Sequence, residues 1–322
     1  MTYLSESQIQ PLLSMQEAIA QVERAFLARA SHRAFDIPRN RTRMPGAALH
    51  ILQGGSLELN LVGFKAYYVL PTGKTSVIQL INRDTGSLEV IMEAHWIGQM
   101  RTGAATAVAA SHLAKKDAAV VGMFGSGRQA VTQLEAVCLV RKIREVKVFS
   151  RNPERLRAFC ETMSRQLGLE VRPASDPHDA VAGSDILITI TRGTGPVFDG
   201  AWLEPGQFIA AAGVNAIDKR ELDQNTVLRS DLVVVDSREV AKGESGDLLP
   251  AVESGHLYWE NLTDLGEVVA GHRPGRTSAR QCVLFESHGM ALQDIYCAAH
   301  ILAKARAGNI GFPFPPAEGI NP

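Results

Sequence analysis

The sequence has no surplus of charge: 33 lysines and arginines stand against 34 aspartates and glutamates, for a formal net charge of −1. Binding to nucleic acid through its phosphates leaves a basic footprint, and this composition carries none. Cysteine is scarce. The four thiols, Cys138, Cys160, Cys282 and Cys297, are far apart and form no C-x-x-C pair, so they read as reduced core residues rather than disulfides or a zinc site. The nine histidines show no H-x-x-x-H spacing and no clustering with cysteine, so no metal site is expected. No run of about 18 apolar residues occurs, and Met1 is not followed by a basic segment and an apolar core. The expected address is the cytoplasm, away from membranes.

What is present is an ordinary globular composition, 45% hydrophobic and 21% charged over 322 residues. That length exceeds one typical domain of roughly 100–200 residues, which points to two. A small-molecule ligand fits this profile better than a polymer.

The periodicity changes along the chain. Ser14-Met15-Gln16-Glu17 is a capping box, and Ile19, Val22 and Phe26 continue it at helical spacing, predicting a helix over about 15–30. From His50 to Leu80 short apolar runs alternate with turn signals, predicting a small sheet: Leu61 to Leu70, Pro71-Thr72-Gly73, Val77 to Ile81. Asn82 to Gly86 has hairpin chemistry, with Leu88 to Met92 as the return strand. After Arg101-Thr102-Gly103 an alanine-rich helix leads to Ala114, where a domain boundary is expected. Strand, glycine turn, helix and strand then follow in order from Ala118 to Phe149, the first βαβ unit of a doubly wound parallel sheet. Asn152-Pro153 caps the next helix, which ends at Gly168. Strands at Ile186 to Ile190, Phe208 to Ala212 and Leu232 to Val235 extend the sheet to about Leu284. A long helix from Met290 to Ala307 lies outside this alternation and is expected to return to the N-terminal domain, followed by a loose proline-rich tail. The expected fold class is α/β: a Rossmann-type doubly wound sheet, 115–289, inserted in a discontinuous α+β domain, 1–114 and 290–322.

Gly125-Ser126-Gly127-Arg128-Gln129-Ala130 follows an apolar strand and opens a helix, the context that makes G-x-G-x-x-A a dinucleotide motif. Gly125 permits the tight turn, Gly127 lets backbone approach a pyrophosphate, and Ala130 lets helix and strand pack; the phosphates then meet the helix N-terminus. The second strand ends in Ser150-Arg151-Asn152, with no carboxylate for a ribose 2′-hydroxyl. A hydroxyl and a guanidinium suit a 2′-phosphate, so NADP(H) is favoured over NAD(H). Lys65 is the one charge between Leu61 and Leu70, on the same strand face as Gly63 and Tyr67. An ammonium there either serves a substrate or snorkels from a strand edge. Arg101, read as the start of its helix, either meets a carboxylate there or lies on the surface.

These segments occur in one order: Arg41-Thr42 before Pro45, Lys65, Arg101-Thr102-Gly103-Ala104, Gly125 to Ala130, Ser150-Arg151-Asn152, Asp185 to Thr191, Gly213 to Leu222, Glu244-Ser245-Gly246-Asp247 and Ser287-His288-Gly289-Met290. In that order and spacing the chain resembles the ornithine cyclodeaminase/mu-crystallin family over nearly its whole length. The resemblance implies a Rossmann domain inserted in a substrate-binding domain, a homodimer formed through the substrate-domain sheets, and hydride transfer at the α-carbon of an amino or imino acid. By position it implies that Arg41 and Arg101 bind the substrate carboxylate and that Lys65 is the substrate lysine. It further implies that Thr189, Thr191, Gly213, Ser287 and Gly289 join the glycine turn and Ser150 to Asn152 around the cofactor.

The chain departs from the cyclodeaminase pattern at one position. Cyclodeaminases and related alanine dehydrogenases begin the segment after the fifth Rossmann strand with Gly-x-Asp, whose aspartate does acid–base work. Here it reads Gly213-Val214-Asn215, and an amide cannot take a proton at neutral pH. Asp218 stands three residues on, with an open role. The expected activity is therefore NAD(P)H-dependent reduction of an imino acid (ketimine) to an α-amino acid. The alternatives are an ornithine or lysine cyclodeaminase with bound NAD, and a non-catalytic mu-crystallin-like binder of NADP and ligand. Pyrroline and piperideine carboxylates, iminosuccinate and imines of pyruvate or glyoxylate share the same carboxylate–imine core, so the substrate side chain stays open.

Overall fold

The computed structural model describes residues 2–193 and 195–313. In chain order the first elements are β1 (Thr2–Leu4), α1 (Glu6–Ile9), α2 (Met15–Ala30), β2 (Ala34–Met44), β3 (Ala47–Ser56), β4 (Leu61–Leu70), β5 (Gly73–Asn82), β6 (Leu88–Glu93) and α3 (His95–Leu113). Then follow β7 (Val120–Phe124), α4 (Arg128–Val140), β8 (Glu145–Phe149), α5 (Pro153–Leu167), β9 (Glu170–Pro173), α6 (Pro177–Val181), β10 (Ile186–Thr189) and β11 (Phe208–Ala211). The chain continues through α7 (Gln224–Leu228), β12 (Leu232–Val235), α8 (Arg238–Glu244), α9 (Leu249–Glu253), β13 (Thr263–Asp264), α10 (Leu265–Val269) and β14 (Val283–Glu286), and closes with α11 (Ala291–Ala307) and β15 (Phe312–Pro313). It forms two units, Met1–Arg101 with Met290–Pro322, and Thr102–Gly289. This is an α/β chain whose parallel-sheet unit interrupts a second, mixed unit.

In the first unit the sheet order is β15-β1-β6-β5-β4-β3-β2. The meander β2 to β6 is antiparallel throughout, while β1 joins β6 in parallel. Ser14 and Glu17 form the expected capping box of α2. The helix α11 packs on α2 and on β3, β4 and β5; Ile295, Tyr296 and Ile301 on the helix and Ile78 and Leu80 on β5 are all buried. The strand β2 has no counterpart in the sequence reading, because Pro38 and a run of polar and basic residues obscure its alternation. It is the edge strand, and its register shifts between Ile37 and Asn40, where a proline is tolerated. The expected loose tail begins with a short strand, Phe312–Pro313, paired with β1; residues 314–322 lie outside the described residues.

Arg101 is not at a helix start. α3 begins at His95, and the N–H groups of His95 and Trp96 donate to the Glu6 carboxylate at 2.5 and 3.0 Å. Gly103 looks like punctuation in the sequence, yet it lies inside the helix where the backbone of α4 comes too close for a side chain. A Cβ at Gly103 would meet the Thr132 carbonyl oxygen at 2.3 Å. The two units divide at Arg101/Thr102, within α3.

The second unit holds an eight-stranded sheet in the order β13-β12-β14-β11-β10-β7-β8-β9, and every pairing is parallel. The strands β9, β8, β7, β10 and β11 follow Rossmann order, with the reversal between β7 and β10. Gly168, the terminator read for α5, is left-handed at φ +66°. One side of the sheet is closed by Phe124, Leu187, Ile209, Val235, Leu248 and Leu284, a buried apolar cluster. No helix among the described residues is long and apolar enough to cross a membrane.

Candidate functional site

Lys65 lies at the centre of the first unit's sheet, 3% exposed. Alternation along β4 turns it toward α11, where its ammonium donates to Asp294 Oδ1 at 2.9 Å. Burial pushes the lysine pKa down to about 8 even against the pull of Asp294. Burial alone would raise Asp294, but Lys65 and Arg101 outweigh it and hold the carboxyl below its usual range. From α3, Arg101 Nη1 donates to Gln293 Oε1 at 3.0 Å, and its Nε lies 3.5 Å from Asp294 Oδ1. A Cβ at Gly98 would stand 2.8 Å from Lys65 Nζ, so a residue without a side chain leaves room for the ammonium. Arg41 occupies β2 opposite His50, which is opposite Tyr67, two residues from Lys65 on the same face. The structure thus brings Lys65 and Arg101 onto one carboxylate and places Arg41 on the same sheet face.

In the second unit the glycine turn joins β7 to α4 as read. Gly125 adopts φ +119°, where a side chain would be strained and its Cβ would lie 2.5 Å from the Ile190 carbonyl oxygen. Gly127 is the N-cap of the 13-residue helix α4 and offers no side-chain cap, and a Cβ there would meet nothing within 4 Å. The first amides of the helix, at Arg128 and Gln129, therefore open outward in a form suited to a pyrophosphate. Ala130 is fully buried against the sheet. Ser126 Oγ donates to Ser150 Oγ at 3.0 Å, tying the turn to the end of β8. Arg151 is exposed beside them, and Asn152 caps α5 by accepting from Arg155 N–H at 2.9 Å. These residues fit a dinucleotide.

The loops after β10 and β11 are organised by a carboxylate that sequence reading passed over. Glu221, fully buried, accepts from Thr191 N–H at 2.5 Å, Gly213 N–H at 2.9 Å and Thr189 Oγ at 3.0 Å. Asp247 supports it by accepting from the N–H groups of Glu221 and Leu222, each at 2.7 Å. Burial and the neighbouring Glu286 push Asp247 up to about 8. At the end of β14 Ser287 N–H donates to the Ala211 carbonyl at 2.9 Å, and Gly289 N–H donates to Asp236 Oδ2 at 2.6 Å. His288 lies between Asp236 and Glu286, at 3.6 and 3.2 Å. Burial would lower its pKa, but hydrogen bonds to these two carboxylates raise it to about 10. Asn215 and Asp218 are exposed in the segment after β11.

The chain matches the ornithine cyclodeaminase/mu-crystallin family over residues 2–309. It belongs to that family. Among solved structures it is similar to the Δ1-pyrroline-2-carboxylate reductase of Thermococcus litoralis in complex with NADH and L-proline, with 34% identity, a TM-score of 0.93, and 98% of this chain and 100% of that one covered. It is also similar to an archaeal alanine dehydrogenase dimer with bound NAD, at 30% identity and a TM-score of 0.91 over 97% and 98% of the two chains. The ketimine reductase mu-crystallin of Mus musculus is 34% identical over 71% of this chain and 69% of its own length.

Within this member of the family, the sequence reading missed Asp294, Gln293, Gly98 and Glu221. A signal existed for two of them. Gln293-Asp294 is a polar pair in the middle of an otherwise apolar run from Ala291 to Ala299, and a carboxylate there needs a partner. Glu221 carries no such mark, because it lies in a charged loop sequence, Asp218-Lys219-Arg220-Glu221, where burial is illegible.

Proposed function

We propose that this chain is an NAD(P)H-dependent imino-acid (ketimine) reductase that forms an α-amino acid. The observation that carries this reading is the buried Lys65–Asp294–Arg101 cluster, a poised proton donor beside a guanidinium. Relatives named for pyrroline-2-carboxylate and ketimine reduction support it.

In this reading Arg41 and Arg101 hold the substrate carboxylate through charge-assisted hydrogen bonds. Lys65, its pKa lowered to about 8, is still mostly protonated at neutral pH and close enough to that pH to give up its proton readily. Asp294 keeps the ammonium oriented, and Gln293 keeps Arg101 oriented. NAD(P)H, when bound at Gly125, Ser126, Gly127, Arg128, Gln129 and Ala130, Ser150, Arg151 and Asn152, Thr189, Thr191, Gly213, Ser287 and Gly289, supplies the hydride. Glu221 fixes the backbone of Thr191 and Gly213 for that task. Asn215 can position substrate or water but has no proton-accepting role, which separates this chemistry from cyclodeamination.

The finer assignments are NADP(H) preference, a homodimer and a cytoplasmic address. Ser150 and Arg151 support the first, since they offer a hydroxyl and a cation at the end of β8. For the dimer, the face of the sheet opposite Lys65 exposes Phe35 (54%), Ile37 (47%) and Val62 (38%) around a groove of about 480 Å³. Exposed apolar area of this kind marks a protein interface, and the alanine dehydrogenase neighbour is a dimer. The four free thiols are consistent with a reducing compartment.

The deciding experiment follows loss of NADH and NADPH absorbance with a panel of cyclic and linear imines. Consumption of cofactor with at least one imine, abolished in Lys65→Met, is expected. Absence of turnover with every imine would overturn the reading.

A further inference from the structure

The carboxyl end of the parallel sheet buries Glu221, Asp236, Asp247 and Glu286, each at most 5% exposed. Among the described residues none of these carboxylates meets a lysine or an arginine; their partners are N–H groups, hydroxyls and the His288 imidazole. Asp236 and Glu286 overcome the effect of burial and push the His288 pKa up to about 10, so the ring is a cation at neutral pH. Burying charges adds little to stability even when they are paired, so this group calls for a role other than holding the fold.

The group surrounds one turn. Glu286 and His288 meet at 3.2 Å on one side of the chain as it leaves β14, and Asp236, just past β12, lies 3.6 Å from the other ring nitrogen. Ser287, between them, continues the ladder by donating its N–H to the Ala211 carbonyl at 2.9 Å, and alternation turns its side chain to the opposite side. Gly289 is left-handed at φ +85°, and Asp236 Oδ2 accepts its N–H at 2.6 Å. Ser287 Oγ is different: the residue is 5% exposed, and its hydroxyl is buried without a hydrogen-bond partner among the described residues. A hydroxyl in that position is costly unless a ligand meets it.

The 244–247 segment, Glu244-Ser245-Gly246-Asp247, joins this turn to the next loop. Ser245 Oγ donates to Glu286 and accepts from Leu248 N–H at 3.1 Å, its backbone bridges to Ala216, and Asp247 takes the N–H groups of Glu221 and Leu222. Glu221 in turn holds Thr191 and Gly213, so one buried system sets the ends of β10, β11 and β14. When a dinucleotide lies across the strand reversal, the glycine-turn side, β7, β8 and β9, takes its adenosine half, and β10, β11 and β14 take its nicotinamide half.

We propose that His288, with Asp236 and Glu286, is a positioning group for the nicotinamide half of the cofactor. It sets the 287–289 turn so that the Ser287 hydroxyl and the Gly289 backbone meet that half, and the 244–247 segment keeps the Gly213 loop in step. His288 acts through the turn and touches no reacting atom. This assignment rests on the NAD(P)H-binding part of the reading given above.

The test measures binding of NADPH and NADH, and of ADP and adenosine 2′,5′-bisphosphate, which carry no nicotinamide, by fluorescence titration and calorimetry. The proteins are wild type, His288→Leu, His288→Gln, Ser245→Ala and Ser287→Ala. Loss of the charge-assisted contacts predicts that His288→Leu weakens the better-bound reduced cofactor at least about tenfold, while both fragments bind as they do to wild type. His288→Gln keeps a donor toward Glu286 and should recover part of the loss. Ser287→Ala should weaken the reduced cofactor and leave thermal stability unchanged or higher, because its hydroxyl has no protein partner to lose. Equal losses for cofactor and fragments would make the group a general support of the fold and overturn the assignment, as would unchanged NAD(P)H binding in His288→Leu. Should His288→Leu not fold, His288→Gln and Ser245→Ala are read for the same split between cofactor and fragments, and its absence in both overturns the assignment. A wild type that binds neither reduced cofactor would remove this assignment together with the cofactor reading. Imine turnover enters none of these measurements, so a chain that binds NAD(P)H and reduces no imine still decides the question.

Discussion

Lys65 Nζ and Asp294 Oδ1 stand 2.9 Å apart with side-chain exposures of 3% and 1%, an ion pair that ties the middle strand of the meander to the returning helix α11. Neither charge has water to fall back on. Removing Asp294 strands the ammonium, at a cost of about 3–5 kcal/mol, and removing Lys65 leaves the carboxylate to Arg101, whereas removing both as apolar residues avoids the larger penalty. Asp294→Leu should lower stability strongly and Lys65→Met less so, and the double variant should be far more stable than the sum of the single losses implies. Denaturant unfolding of the four proteins measures this coupling. Strict additivity would show that the two side chains do not act as a pair.

The same pair sets a pH dependence. Lys65 has a pKa of about 8, so it is a proton donor below that pH and loses the proton above it. kcat/KM for imine reduction should therefore fall as pH rises through about 8. The Asp294 carboxylate raises the lysine pKa against burial, so Asp294→Asn should move this basic limb to lower pH. A limb that stays in place in the variant would assign it to another group.

Much of the architecture was legible because it rests on local chemistry. The capping box at Ser14, the cap and left-handed stop at Asn152 and Gly168, and the turn at Gly125 each dictate their geometry within a few residues. Lys65 stood out because a charge in an apolar strand demands a reason. The partner of that charge was hidden, since Lys65 and Asp294 are separated by 229 positions and meet only through tertiary packing. β2 was missed because its edge position removes the apolar alternation that marks half-buried strands. Gly103 stands in the segment read as the start of α3, because glycine marks both a helix boundary and a close approach, and only the neighbours distinguish the two.

Gly98 offers a test that separates activity from folding. Alanine favours a helix interior over glycine by about 1 kcal/mol, so Gly98→Ala gains helix propensity. Its Cβ would stand 2.8 Å from Lys65 Nζ, and the end of the lysine side chain must move. The propensity gained is set against strain in the Lys65–Asp294 pair, so the fold should be kept with at most a modest loss of stability, while kcat falls about tenfold or more as the proton donor is displaced. Thermal unfolding and steady-state rates on one preparation check both halves. Full activity in this variant would show that the Lys65 position in the structure is not the one used in turnover.

Arg151 is exposed at the end of β8, where a ribose 2′-phosphate would give it a partner. Arg151→Ala should weaken NADPH binding by on the order of 1.5–3 kcal/mol and leave NADH nearly unchanged. Fluorescence titration with both cofactors reads the difference directly. A wild-type preference for NADH that the substitution does not alter would reverse the NADP(H) assignment.

Asn215 decides between reduction and cyclodeamination. Loss of ammonia from a diamino acid needs a group that takes and returns protons as water or an internal amine attacks the imine, and an exposed amide after β11 cannot do this at neutral pH. Imine reduction asks only for a held carboxylate, a proton from Lys65 and a hydride. The expected outcome is NAD(P)H-dependent reduction of an imino acid and no ammonia from ornithine or lysine with catalytic amounts of NAD. Asn215→Asp restores a carboxylate at that position and is the natural variant in which to look for ammonia release. Steady conversion of ornithine to proline by the unmodified protein would remove the reductase assignment and would turn attention to Asp218, three residues further along the same exposed segment, as the base.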